Sequence, residues 1–190
     1  MKRAFCVIAG ACSLLGWAPA DEAGMKNALA DWQMRQSDWE SAFKTAESDE
    51  KRAELMESRP NAIPVAQELW RQVGRDPQKP ETQKPYLLPA VIWFLDHPQA
   101  VAQAFPNGDV ARKIVVLCLD SLENTLFREK GAGKAAYALS NSRDLRCRVI
   151  LEQIKDYNQF PEDQGLSALG LAMVMKETTG MLQDLSLIHI

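Results

Sequence analysis

The chain has 190 residues, with 22 basic groups against 25 acidic ones, a net charge of −3 and a mean hydropathy of −0.25. That length suits one domain and can bury a sizeable core. A mildly acidic balance argues against a nucleic-acid partner, which normally meets a basic stripe. The two histidines, His97 and His189, leave a multi-histidine metal site or a histidine-based triad dependent on His97 alone.

The first twenty residues, MKRAFCVIAGACSLLGWAPA, read as an export signal. Lys2 and Arg3 form the charged start, Ala4 to Trp17 the apolar centre and Ala18-Pro19-Ala20 the cleavage site. About 14 apolar residues fall short of the roughly 20 that a membrane-spanning helix needs. Lipidation at Cys12 is the lesser alternative: Ala9-Gly10-Ala11 fits a lipobox poorly, and Ser13-Leu14-Leu15 continues the apolar run. Removing these residues, Lys2 and Arg3 among them, leaves 170 residues with a net charge of −5 and no run able to span a bilayer. The expected product is a periplasmic or secreted protein, with residues 21–185 as one helical domain.

The remaining periodicity is helical. Leu29, Trp32, Gln36, Trp39 and Phe43 recur at spacings of three and four, which predicts one apolar stripe on a long first helix. Ser48 or Asp49 caps a short helix through Met56, with Glu47, Asp49 and Glu50 as its favourable acidic start. Pro60 ends it. Asn61 caps the next helix, on which Ile63, Ala66, Trp70 and Val73 share a face before Gly74; Pro64 falls in its first turn.

Residues 75–85, RDPQKPETQKP, hold three prolines and no other apolar side chain. They predict a loop near the upper end of length for a compact domain, either a solvated connector or an interaction loop presenting Asp76, Lys79, Glu81 and Lys84. The following YLLPAVIWFL is too apolar for a surface helix and belongs in the core. Asp96-His97-Pro98 breaks it, and a shorter helix runs to about Phe105. Pro106-Asn107-Gly108-Asp109 is a turn in which Asp109 caps a helix from Val110 to about Arg128, carrying Ile114, Leu117, Leu122 and Phe127.

Gly131, Gly133 and Lys134 pose the question of a phosphate loop. A Walker loop needs four residues between its first glycine and a Gly-Lys-Ser/Thr after a strand; here one residue separates the glycines, alanine follows the lysine, and a helix precedes. Gly131 therefore reads as a helix C-cap, Gly133 as a turn residue and Lys134 as solvated.

Two cysteines, Cys118 and Cys147, lie beyond the export signal, and no C-x-x-C occurs. They read as a disulfide or as buried thiols. Cys118 sits in the core-like run VVLCL. Cys147 lies between Arg146 and Arg148, soon after a candidate N-cap at Asp144, which also opens the reading of a reactive thiol with lowered pKa. The tryptophans Trp32, Trp39, Trp70 and Trp93 sit on apolar faces, so core packing is preferred to a sugar platform. A loop histidine such as His97 is ordinarily solvated or hydrogen-bonded. No pair of carboxylates stands out for catalysis.

The segment AAYAL at 135–139 and ALGL, starting at Ala168, are dense in small residues and lie on either side of an amphipathic helix, DLRCRVILEQI. The alternation predicts an all-α fold of about eight helices, as antiparallel pairs in a bundle or a short solenoid-like array of the TPR or HEAT kind. The stretches ESDEKRAELMESRPN, PVAQELW and PYLLPAVIWFL, then GKAAYALSNSRD, RVILEQI and DQGLSALGLAMVMK, together resemble the helical region that precedes a thioredoxin-like domain in exported proteins of planctomycete and verrucomicrobial type. The resemblance covers residues 28–176. It implies an accessory region of a thiol-disulfide oxidoreductase whose chemistry lies in a domain this chain lacks, so it carries over no catalytic residue. The closing LSLIHI reads as a strand-like tail that resembles a translated sequencing adapter, which makes residues 186–190 doubtful and allows a longer native chain. Taken on its own residues, the chain is expected to be a non-catalytic interaction or scaffold module without a cofactor, binding a protein or peptide partner in a groove between helix pairs, with the 75–85 loop as a variable contact.

Overall fold

The three-four spacing of apolar residues produces helix α1 (Glu22–Thr45), with Met25, Leu29 and Trp32 buried and Gln36, Trp39 and Phe43 half-buried. The structure is a computed structural model; it describes residues 22–73, 85–142 and 144–188, with side chains described through Lys176. The export signal with Cys12, Gly74, and Asp76, Lys79, Glu81 and Lys84 of the proline-rich loop lie outside the described residues.

The stripe of α1 is less deeply buried at its far end because it meets the short α2 (Asp49–Glu57), which has no buried residue. Trp39 is fixed there instead by polar and ring contacts. Its indole N–H donates to the Leu55 carbonyl at 2.6 Å, its ring stacks on Phe43 at 5.2 Å, and the Arg59 guanidinium lies 5.5 Å over it. Ser48 caps α2, its Oγ accepting from the Lys51 N–H at 3.2 Å. Asn61 Oδ1 accepts from the Ile63 N–H at 2.9 Å where α3 (Ile63–Val73) begins.

After a 3-10 turn at Pro85–Leu87, α4 (Leu88–Asp96) buries Leu88, Ala90, Val91, Trp93 and Phe94, as expected of so apolar a helix. Then follow α5 (Pro98–Ala104), α6 (Asp109–Asn124), α7 (Ala136–Ser140), α8 (Leu145–Tyr157) and α9 (Pro161–Ile188). Second neighbours pack together: α1 on α3, α3 on α5, α4 on α6 and α6 on α8, while α7 and α8 both lie against α9. This is the alternation of stacked helix pairs. One continuous core runs from Met25 through Leu69, Ile114, Leu122 and Leu126 to Ile154, and among the described residues there is no strand.

The small residues perform the packing role expected of them. A Cβ at Gly170 of α9 would lie 3.1 Å from the Ala136 carbonyl oxygen and 3.2 Å from Ala136 Cβ, so α7 and α9 approach closely only because this position is glycine.

Four local expectations are corrected. The N-cap of α6 is Gly108, at φ 75° in the left-handed region that a side chain disfavours, so Asp109 becomes the first helical residue and supports the helix as an N-terminal negative charge. The helix does not reach Arg128: Thr125 leaves helical geometry at φ −142°, its N–H and Oγ1 both donating to the Ser121 carbonyl. A 3-10 turn at Leu126–Arg128 then places both Leu126 and Phe127 in the core. Gly131, at φ 93°, opens a 3-10 turn at Ala132–Ala135 rather than capping a helix end. Last, α9 continues as helix to Ile188, where a strand-like tail was expected; no proline after Pro161 interrupts it.

Candidate functional site

Proline has no N–H and restricts the residue before it, so the chain turns sharply at His97-Pro98 between α4 and α5. That corner forms one wall of an open groove of about 1040 Å³ whose other walls are α6 and α7. Phe94 and Val101 come from the corner, Ile114, Val115 and Cys118 from α6, and Tyr137 and Ala138 from α7. The helical period explains the division of VVLCL: Leu117, Cys118 and Leu119 are buried, as is Ile114 just before them, whereas Val115 and Val116 remain 45% and 51% exposed. Tyr137, on the α7 wall, is 68% exposed. The walls are thus largely apolar, with Asp96, His97, Arg112, Lys134, Asn141 and Ser142 as the polar groups around them.

His97 is held firmly at the corner. Its ring stacks on Trp93 with centroids 4.4 Å apart and meets the Trp32 ring edge-on at 5.6 Å. Nδ1 lies 2.8 Å from the Trp93 carbonyl, an acceptor only, so Nδ1 carries the proton and donates. The loop histidine is therefore hydrogen-bonded, and no hydroxyl or thiol is bonded to it among the described residues. The adjoining Asp96 is exposed at its surface, yet partial desolvation pushes its carboxyl above the ordinary range against the opposing effect of His97. Behind the corner lies a smaller polar hollow of about 450 Å³, lined by Arg59, Asn61, Gln99 and Gln103 and sharing Asp96 and His97 with the groove.

The glycine loop does hold an anion, and the anion belongs to the chain itself. Asp163, in the first turn of α9, accepts from the Gly131 N–H at 2.8 Å and from the Gly133 N–H at 3.0 Å. A Cβ on Gly133 would fall 2.6 Å from Asp163 Cα, so only glycine lets the two backbones meet. Asn158 completes the seam, its Nδ2 donating to the Phe127 and Glu129 carbonyls at 2.8 and 3.1 Å. This loop is a joint, as expected, with Lys134 exposed. Sequence reasoning did not connect Asp163 to it, because thirty residues separate the partners and no local pattern signals the pair.

Cys118 and Cys147 are both buried free thiols. Burial pushes Cys118 far up. It also raises Cys147, with Asp144 adding to the effect, against a bond from Ser142 and the charge of Arg146. The surroundings of Cys147 thus raise its pKa, where a reactive thiol would need it lowered. Arg146 is turned to Asp120 at 2.6 Å and Glu123 at 2.5 Å on α6, and Arg148 to Glu152 at 3.0 Å within α8, so both flanking guanidinium groups are engaged by carboxylates and the effect of Arg146 on the sulfur is outweighed by burial. Asp144 does cap α8, accepting from the Arg146 N–H at 2.9 Å.

Among the described residues no group of three or more His, Cys, Asp or Glu side chains is placed to hold a metal ion, and no helix is long and apolar enough to cross a membrane. Comparison with protein-family models, with curated proteins and with solved structures finds no match to this chain.

Proposed function

We propose that the chain is an exported interaction module that presents the groove between the α4–α5 corner, α6 and α7 to an apolar segment of a partner protein. The supporting observation is the open trough of about 1040 Å³ lined by the exposed Val115 of α6 and Tyr137 of α7. Each large apolar side chain that a partner buried there would contribute about 1.5–3 kcal/mol before the costs of ordering. Export rests on the charged, apolar and Ala-Pro-Ala sequence of residues 1–20.

A selection of phage-displayed peptides on the mature protein tests this reading. Enriched peptides are expected to bind the wild type and to lose binding to Val115→Asp. They should retain binding to Val149→Asp, a matched change at an equally exposed valine of α8 outside the groove. An empty selection, or peptides indifferent to Val115→Asp in a variant that circular dichroism shows folded, would contradict it.

A further inference from the structure

The partner's chemistry follows from two cations beside the groove, and the argument rests on the interaction reading above. Arg112 on α6 and Lys134 just ahead of α7 stand on separate walls of the trough, both exposed and without an ion pair among the described residues. Elsewhere Arg35, Arg52, Arg71, Arg146 and Arg148 are each paired with a carboxylate of the same chain, and Arg59, Arg128 and Lys130 lie over aromatic rings, whereas Lys51 and Lys113, away from the groove, are also without an ion pair among the described residues. Asp96, the one carboxylate lining the groove among the described residues, lies at the α4–α5 corner and is paired with neither cation. A largely apolar groove lined by two cations without ion pairs is complementary to a segment that is apolar along one face and acidic beside it.

The mature chain carries net charge −5, which would repel an acidic partner at long range. Charges farther away than about 8 Å are largely screened at physiological salt, so the local cations decide the contact. A basic segment would place like charges against Arg112 and Lys134, which disfavours it. We infer that the groove docks an acidic amphipathic helix of a partner protein, its apolar face in the trough and its carboxylates on Arg112 and Lys134.

Two labelled synthetic helical peptides with one shared apolar face, flanked by Glu in one and by Lys in the other, test this by fluorescence anisotropy. Two exposed ion pairs correspond to a preference for the Glu peptide of about tenfold, shrinking as salt is raised. The double variant Arg112→Glu/Lys134→Glu, altered only at exposed positions, is expected to reverse the preference. Equal binding of both peptides, abolished by Val115→Asp, would overturn the acidic partner while leaving the groove as a docking site. Binding of neither peptide would overturn both readings. Saturable oleate binding in place of the peptides, or a wild-type dimer in sedimentation that Val115→Asp dissociates, would overturn the inference in favour of a fatty anion or a second copy.

Discussion

Replacing Asp163 by asparagine tests the joint that ties the end of the fold to its middle. The side chain is 3% exposed, and its carboxylate accepts from both Gly131 and Gly133, the two bonds spanning about thirty residues of chain. Asparagine keeps one acceptor and turns an amide donor toward the second N–H, so one charge-assisted bond is lost and a buried donor is left unpaired. Hydrogen bonds to charged groups contribute about 1.5–3 kcal/mol, and an unsatisfied buried donor costs about 1–3 kcal/mol. These overlap, and the net loss expected is about 3 kcal/mol. In urea, where a protein of this size unfolds with a slope of about 2 kcal/mol/M, the midpoint should fall by about 1.5 M with the slope unchanged. Gly133→Ala should cost as much or more, because its Cβ would meet Asp163 backbone at 2.6 and 2.7 Å, which cannot yield as a flexible side-chain tip would. Gly131→Ala has space, with only Leu88 Cδ2 at 3.9 Å, and should cost about 1–2 kcal/mol through its positive φ alone. A midpoint for Asp163→Asn within about 0.3 M of wild type, equivalent to about 0.6 kcal/mol, would refute the reasoning.

Glu68 is held at about 2 by hydrogen bonds from Arg71 and Gln72. Because the folded value is depressed, its contribution is present above the ordinary carboxylate range near 4.5 and is lost as pH falls toward about 2. The site is partly exposed and screened by solvent, so Glu68→Gln should remove less than about 1 kcal/mol at neutral pH and flatten that acid limb; carboxyl NMR titration giving an ordinary value would contradict it. The two buried thiols should resist Ellman's reagent in the folded protein and react on unfolding; equal Cys147 reactivity in both states would overturn its burial. Mass spectrometry of protein recovered from the periplasm or medium should show a chain starting at Asp21, and an uncleaved Met1 or a lipid on Cys12 would overturn the export reading.

Helical periodicity was the strongest sequence signal, and it held where one face dominates, as with Leu29 and Trp32 on α1 or Ala66 and Val73 on α3. Proline marked the 97–98 corner, and the small residues at 136 and 170 marked the close approach of α7 and α9. The break at Thr125 carried no such mark, because it follows from burying Leu126 and Phe127 together, a demand made by the rest of the core. The shift of the cap from Asp109 to Gly108 arose in the same way: a sound side-chain preference was overridden by a backbone that required left-handed geometry. The groove was expected in general terms between helix pairs, but its walls were not readable. VVLCL reads as uniformly core until the helical phase turns Val115 and Val116 outward, and Arg112 and Lys134 become neighbours of one trough only through the fold. The proline-rich 75–85 segment stood out in composition, yet composition alone does not distinguish a contact loop from a connector.

Hydrogen exchange with and without a peptide selected on the mature protein tests the central claim most directly. The account expects slowed exchange in Ala111–Cys118 of α6 and in Tyr137–Ser142, with α8 unchanged. Protection confined to residues 75–85, or spread over α8 with α6 unaltered, would contradict the groove as the docking site.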